Sequence, residues 1–275
     1  IRFNSISNQL IHRDELIDEK LIGFYRFCIG LSKKVLIANV LAEQADMIFN
    51  SDLTNLSTIT AWIGIIAYTF QIYFDFSGYS DMAIGLGKIL GFKFPENFNA
   101  PYISQSISEF WRRWHITLGE FMKDYLYIPL GGNRVSNKYR LFFNLWLVFL
   151  LSGLWHGSEW NFILWGAYHG CFLILDRVFL LKFLKKMGTV FATLFTFFFV
   201  MIGWVIFRLE NIYSIKLYLN SLFDFNLKLD VSIIPSFWLI IIIAVILSFC
   251  TNFKTGKQLQ SFLFQNQNYS LTSHV

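Results

Sequence analysis

The stretch ITAWIGIIAYTFQIYFDF, residues 59–76, decides the class of fold. A helix rises about 1.5 Å per residue, so roughly 20 apolar residues cross about 30 Å of hydrocarbon. This run approaches that length and holds its first carboxylate only at Asp75. Trp62 near one end and Tyr73, Phe74 and Phe76 near the other suit the interfaces between lipid and water.

Reading outward, four further apolar runs predict spans at Leu141–Trp155, Trp160–Leu181, Val190–Phe207 and Ile233–Cys250. The whole chain agrees: 275 residues, 55% hydrophobic and 19% aromatic against 15% charged, with 32 Phe, exceed what a soluble core of this size uses. The expected fold is all-α, a polytopic membrane protein, with residues 1–257 as one transmembrane domain and 258–275 as a polar, Gln/Asn-rich tail. The chain starts at Ile1 in a polar stretch with no signal-peptide pattern, so it reads as an interior fragment whose N-terminal membrane helices are missing.

Upstream of the first span, after a charged lead-in from His12 to Lys20, the run Leu21–Leu41 carries Arg26, Lys33 and Lys34 at helical spacing. Two readings stand: an amphipathic helix on the membrane surface, or a tilted span with snorkelling cations. From Gly78 to Arg140 the apolar runs are too short to span, which predicts interfacial or re-entrant helices shielded by protein. Basic loops around Arg134–Arg140, Lys182–Lys186 and Lys254–Lys257 alternate with less basic ones, placing the former in the cytoplasm and the turn from Trp155 to Trp160 on the outer side. The net charge of +5 resides at the ends of apolar runs, which argues against nucleic acid as a partner. Cys28, Cys171 and Cys250 lie far apart, without CxxC spacing, and read as reduced structural residues.

Of the five histidines, His12 and His274 lie in polar end segments and read as solvated. His115, His156 and His169 lie in the membrane-associated body, where an ionisable residue is costly and points to function. A helix from Glu109 onward would align Trp111, Trp114, His115, Leu118, Met122 and Tyr125 on one stripe. Here the alternative to a site is an interfacial helix anchored by its Trp residues. His156 stands between Gly153 and Gly157, where a helix or a substrate can approach closely. It reads either as a neutral imidazole poised to deprotonate an alcohol or as a packing histidine. His169, in Ala-Tyr-His-Gly, leans toward packing. Asp75 and Asp81 read as helix caps or as partners of Arg112 or Arg113, with a transporter's proton relay as the alternative. HExxH, GxSxG, P-loop and GxGxxG patterns do not occur, and no metal site is expected.

Several segments in order carry a resemblance: Gly30–Ala38, Gln71–Gly85, Asn97–Tyr102, Glu109–His115, Asp124–Asn133 and Leu154–Gly157. The chain resembles the membrane-bound O-acyltransferase (MBOAT) family, in the bacterial branch that includes the alginate O-acetylation membrane subunit and the teichoic-acid D-alanyl transfer protein. The resemblance implies a ring of tilted helices around a tunnel, with His156 as the essential catalytic residue and His115 as the second signature position, often Asn in eukaryotic relatives. Trp111, Trp114, Trp155, Asp124, Tyr125 and His169 are the expected tunnel-lining or substrate-binding residues. It further implies a cytoplasmic thioester donor, acetyl-CoA or an acylated carrier, with no tightly bound cofactor. The implied acceptor is an exported polysaccharide reached through periplasmic or extracellular partner proteins from the bacterial inner membrane. D-Alanyl transfer to teichoic acids and a non-enzymatic transporter are the alternatives.

Overall fold

Helical periodicity, and the scarcity of Pro and Gly within the apolar runs, dictate the secondary structure. The computed structural model describes residues 3–11 and 17–263, so the readings made for His12, His274 and the chain beyond residue 263 lie outside it. In chain order the helices are α1 (Phe3–Ile11), α2 (Ile17–Ser32), α3 (Asn39–Phe49), α4 (Thr58–Ile89), α5 (Ile107–Arg113), α6 (Ile116–Met122), α7 (Lys138–His156), α8 (Trp160–Leu175), α9 (Leu181–Met187), α10 (Thr189–Arg208), α11 (Ile212–Ser221), α12 (Phe237–Phe249) and α13 (Lys254–Leu263). π-helical turns at Lys33–Ala38 and Asp176–Leu180 join α2 to α3 and α8 to α9, and a third at Lys123–Tyr127 extends α6. Among the described residues, extended backbone pairs only in an isolated bridge between Phe98 and Trp114. The fold is all-α.

Among the described residues, three helices are long and apolar enough to cross a membrane: Thr58–Ile89, Trp160–Met187 and Thr189–Arg208. The run 141–155 lies within α7, whose first turn adds Lys138 and Arg140. The run expected from Ile233 becomes helical only at Phe237, because Pro235 holds the residue before it out of the α region. The result is a shorter apolar helix, Phe237–Asn252.

The structure corrects the reading of two segments. Residues 78–89 are not re-entrant: α4 runs unbroken from Thr58 to Ile89. Gly78 and Gly85 let α2 approach so closely that a Cβ on Gly30 would stand 2.5 Å from the Gly78 carbonyl oxygen, and one on Gly23 would stand 2.7 Å from that of Gly85. Three cations of α2 and the following π turn are tied to carboxylates. Arg26 is buried, donating to Asp81 (2.8 Å) and pairing with Glu96, while Lys33 reaches Asp81 at 2.6 Å and Lys34 pairs with Asp75. Asp75 and Asp81 therefore bind the first helical hairpin together and do not meet Arg112 or Arg113. Leu21, Phe24 and Leu36 stay exposed on α2 and its π turn. The polar stripe faces protein and the apolar side faces outward, the arrangement expected of a helix immersed in lipid.

Candidate functional site

The short helices between α4 and α7 are held from several directions. Ser106 caps α5 by accepting the Glu109 N–H (3.0 Å), and the Glu109 carboxylate accepts the Gln105 N–H (2.9 Å), a variant of the capping box. Asp176, from the π turn after α8, accepts both the N–H and the hydroxyl of Ser108 at 2.7 Å, tying α5 to a span. At the other end Arg113 pairs with Glu109 (2.8 Å) and donates to the Asn99 carbonyl (3.1 Å).

The single helical stripe expected from Glu109 to Tyr125 does not form. Trp114 is extended (φ −103°, ψ 129°) and His115 is left-handed (φ 48°, ψ 53°), after which α6 begins. Residues 97–99 compensate the lost helical bonds: Asn99 N–H donates to the Arg113 carbonyl (2.9 Å) and Ile116 N–H donates to the Asn97 carbonyl (3.0 Å). The break turns His115 so that its ring meets Phe76 edge-on at 4.7 Å, with Nδ1 3.1 Å from Asn97 Oδ1.

His156 ends α7. Gly153, one turn earlier, lies so close to α8 that a Cβ there would stand 2.2 Å from the Phe162 carbonyl oxygen. The hairpin thus closes on itself and presses the His156 ring edge-on against Trp165 (5.3 Å) and Phe207 (5.2 Å). Asn161 fastens α8 to α10 by donating to the Phe207 carbonyl (3.0 Å).

These elements enclose a cavity of about 70 Å³. Its walls are Ile72 and Phe76 of α4, Trp111, Trp114, His115 and Leu118 of the broken segment, Ser152 and His156 of α7, Trp165 of α8, and Trp204 and Phe207 of α10. The indole N–H groups of Trp111 and Trp165 have no hydrogen-bond partner among the described residues. A buried donor left unpaired is costly.

His115, His156, Trp111 and Trp114, each singled out from sequence, thus share one cavity. Trp155 lies outside it, 59% exposed, with its ring 4.9 Å from His156 and 6.2 Å from His115. His169 is buried behind the wall, edge-on to Trp111 (4.9 Å) and Trp165 (5.1 Å). Asp124 and Tyr125 lie in the π turn after α6, away from the cavity, with Tyr125 exposed and packed on Phe121. Sequence reasoning missed Trp165, and it missed Ser152 although that residue sits four positions before His156 and so on the same helical face. It also gave no role to Asn97. Among the described residues no group of His, Cys, Asp or Glu could hold a metal ion.

A larger cavity, about 1570 Å³, lies on the other side of Tyr73 and Phe98, between α2, α4 and α12. The cations Arg26, Lys33 and Arg113 on its walls are each paired with a carboxylate.

Fold and site together define a helical membrane protein with two imidazoles at one small, aromatic-walled cavity. The chain belongs to the membrane-bound O-acyltransferase family (MBOAT), whose model matches residues 12–216. It is 52% identical over 77% of its length to the "Probable alginate O-acetylase AlgI" of Azotobacter vinelandii, and 49% identical over 74% to the "Peptidoglycan O-acetyltransferase" of Helicobacter pylori. It is 30% identical over 71% of its length to the "Teichoic acid D-alanyltransferase" of Bacillus subtilis. The chain spans 42%, 39% and 52% of these relatives' own lengths, respectively.

Proposed function

We propose that this cavity is the acyl-transfer site of a membrane-bound O-acetyltransferase that esterifies hydroxyls of an exported polysaccharide in the bacterial inner membrane. The observation that carries the reading is that His115 and His156, from different parts of the chain, line the same buried space. In the reaction, His156 takes the proton of the acceptor hydroxyl as its oxygen attacks the thioester carbonyl. The tetrahedral adduct then expels the thiolate, which recovers the proton from the imidazolium. His115 orients the reacting groups, and Trp111 and Trp114 exclude water, which strengthens every electrostatic interaction with the developing oxyanion.

Size supports a short acyl group. The cavity, about 70 Å³, is small, in keeping with an acyl group such as acetyl. The relatives named for O-acetylation share about half of the aligned residues with this chain, against 30% for the D-alanyltransferase. The donor is acetyl-CoA or an acetylated carrier protein. The acceptor is reached through periplasmic or extracellular partners, and residues 1–257 act as one transmembrane domain. A transporter would use the same polar groups for permeation and would not need His156 as a base.

The test is His156→Ala in cells carrying the protein. Ester on the exported polymer should fall to background while the amount of protein in the membrane stays unchanged. Ester persisting at the wild-type level would overturn the assignment.

A further inference from the structure

Asn97 is buried and sits eighteen positions before His115 in the chain, yet its side chain meets that ring and its carbonyl accepts the N–H of the next residue, Ile116. Its Oδ1 accepts the Thr117 backbone N–H (3.2 Å), lies 3.0 Å from Thr117 Oγ1, and lies 3.1 Å from His115 Nδ1. A backbone N–H can only donate, so the Asn97 atom in this position is the amide oxygen and the orientation of the amide is settled by the network. That oxygen can only accept. His115 Nδ1 must therefore carry a proton to bond with it, and in the neutral ring the lone pair is left on Nε2.

We infer that Asn97 is a positioning residue that fixes neutral His115 in its Nδ1–H form, so that Nε2 meets a ligand in the cavity as an acceptor. The inference rests on the acyl-transfer reading and refines it. A neutral ring so held accepts a hydroxyl proton or an O–H hydrogen bond. It does not donate to the acyl carbonyl, so polarisation of that carbonyl falls to other donors. The left-handed backbone at His115 belongs to the same device, because the Ile116 N–H released by the break in the helix is taken by Asn97's own carbonyl.

The test uses the protein in lipid bilayers with isotopically labelled histidine. Imidazole nitrogen and carbon chemical shifts report the tautomer, and the His115 signals are assigned by their loss in His115→Asn. Wild type and Asn97→Asp should both show Nδ1–H, because either side chain offers an acceptor oxygen, whereas Asn97→Leu should lose that preference. Acetyl transfer should fall on the order of 100-fold in Asn97→Leu, the scale of a misplaced reacting group, and recover in Asn97→Asp. A wild-type ring carrying its proton on Nε2 overturns the inference without any variant. So does an Asn97→Asp protein that keeps Nδ1–H but is as inactive as Asn97→Leu. If His156→Ala and His115→Asn both leave ester intact, the acyl-transfer reading fails, and the wild-type tautomer still decides whether Asn97 sets the ring.

Discussion

Trp165 stands edge-on between two imidazoles, its ring 5.3 Å from His156 and 5.1 Å from His169. It is 2% exposed, and its indole separates the cavity from the buried histidine behind it. Trimming it should therefore deepen the cavity toward His169. Trp165→Ala is expected to lower acetyl transfer and to raise the relative use of propionyl and butyryl donors, read by competition between thioesters. An unchanged preference would show that this wall does not measure the acyl group. Stability should drop by about 3–5 kcal/mol, the range for emptying a large buried aromatic site, so Trp165→Phe serves as the milder companion.

His169 makes ring contacts on three sides, but its Nδ1 has no hydrogen-bond partner among the described residues, and the side chain does not reach the cavity. Such a position suits packing. His169→Gln should keep acetyl transfer within a few-fold of wild type, in contrast to the loss expected for His156. Equal losses at the two positions would move His169 into the reacting site.

The approach at Gly153 leaves no room for a methyl group, since the nearest atom to an added Cβ is backbone and cannot swing aside. Gly153→Ala should pry α7 from α8, cost about 1–3 kcal/mol through overpacking, and displace His156 at the end of the helix. Activity should fall more steeply than thermal stability in detergent. A variant with full activity would mean that the hairpin can open without moving the ring.

Asp81 is the shared partner of Arg26 and Lys33, and its side chain is almost wholly buried. Removing it leaves Lys33 without its carboxylate and Arg26 with Glu96 alone. Asp81→Ala should destabilise the protein by about 3–5 kcal/mol, measured by denaturation in detergent. The wild-type pair should be little affected by added salt, because buried charges are poorly screened.

Much of this architecture was legible in the sequence. Long apolar runs bounded by aromatics gave the spans of α4, α8 and α10, and histidines flanked by Gly and Trp pointed to the cavity. Three features were not legible, and each depends on pairing over distance. The cations Arg26, Lys33 and Lys34 have a spacing that suits either a surface helix or a tilted span, and only the position of α4 reveals the carboxylates they pair with. The helix break at Trp114 carries no Gly or Pro to announce it; residues 97–99, far away in the chain, supply the bonds that make it affordable. Asn97 itself looks like a loop residue between Glu96 and Phe98 until Thr117 and His115 arrive beside it. Ser152, by contrast, was available from simple helical spacing.

The left-handed turn at position 115 has a bearing on which side chains can stand there. Among residues other than glycine, histidine, asparagine and aspartate enter that region far more readily than the rest, while β-branched side chains are outliers in it. The asparagine implied at this position by the eukaryotic side of the family resemblance is therefore a replacement that the main chain already permits. Backbone geometry has narrowed the field before chemistry selects within it, so His115→Asn should fold like the parent protein whereas His115→Val should not.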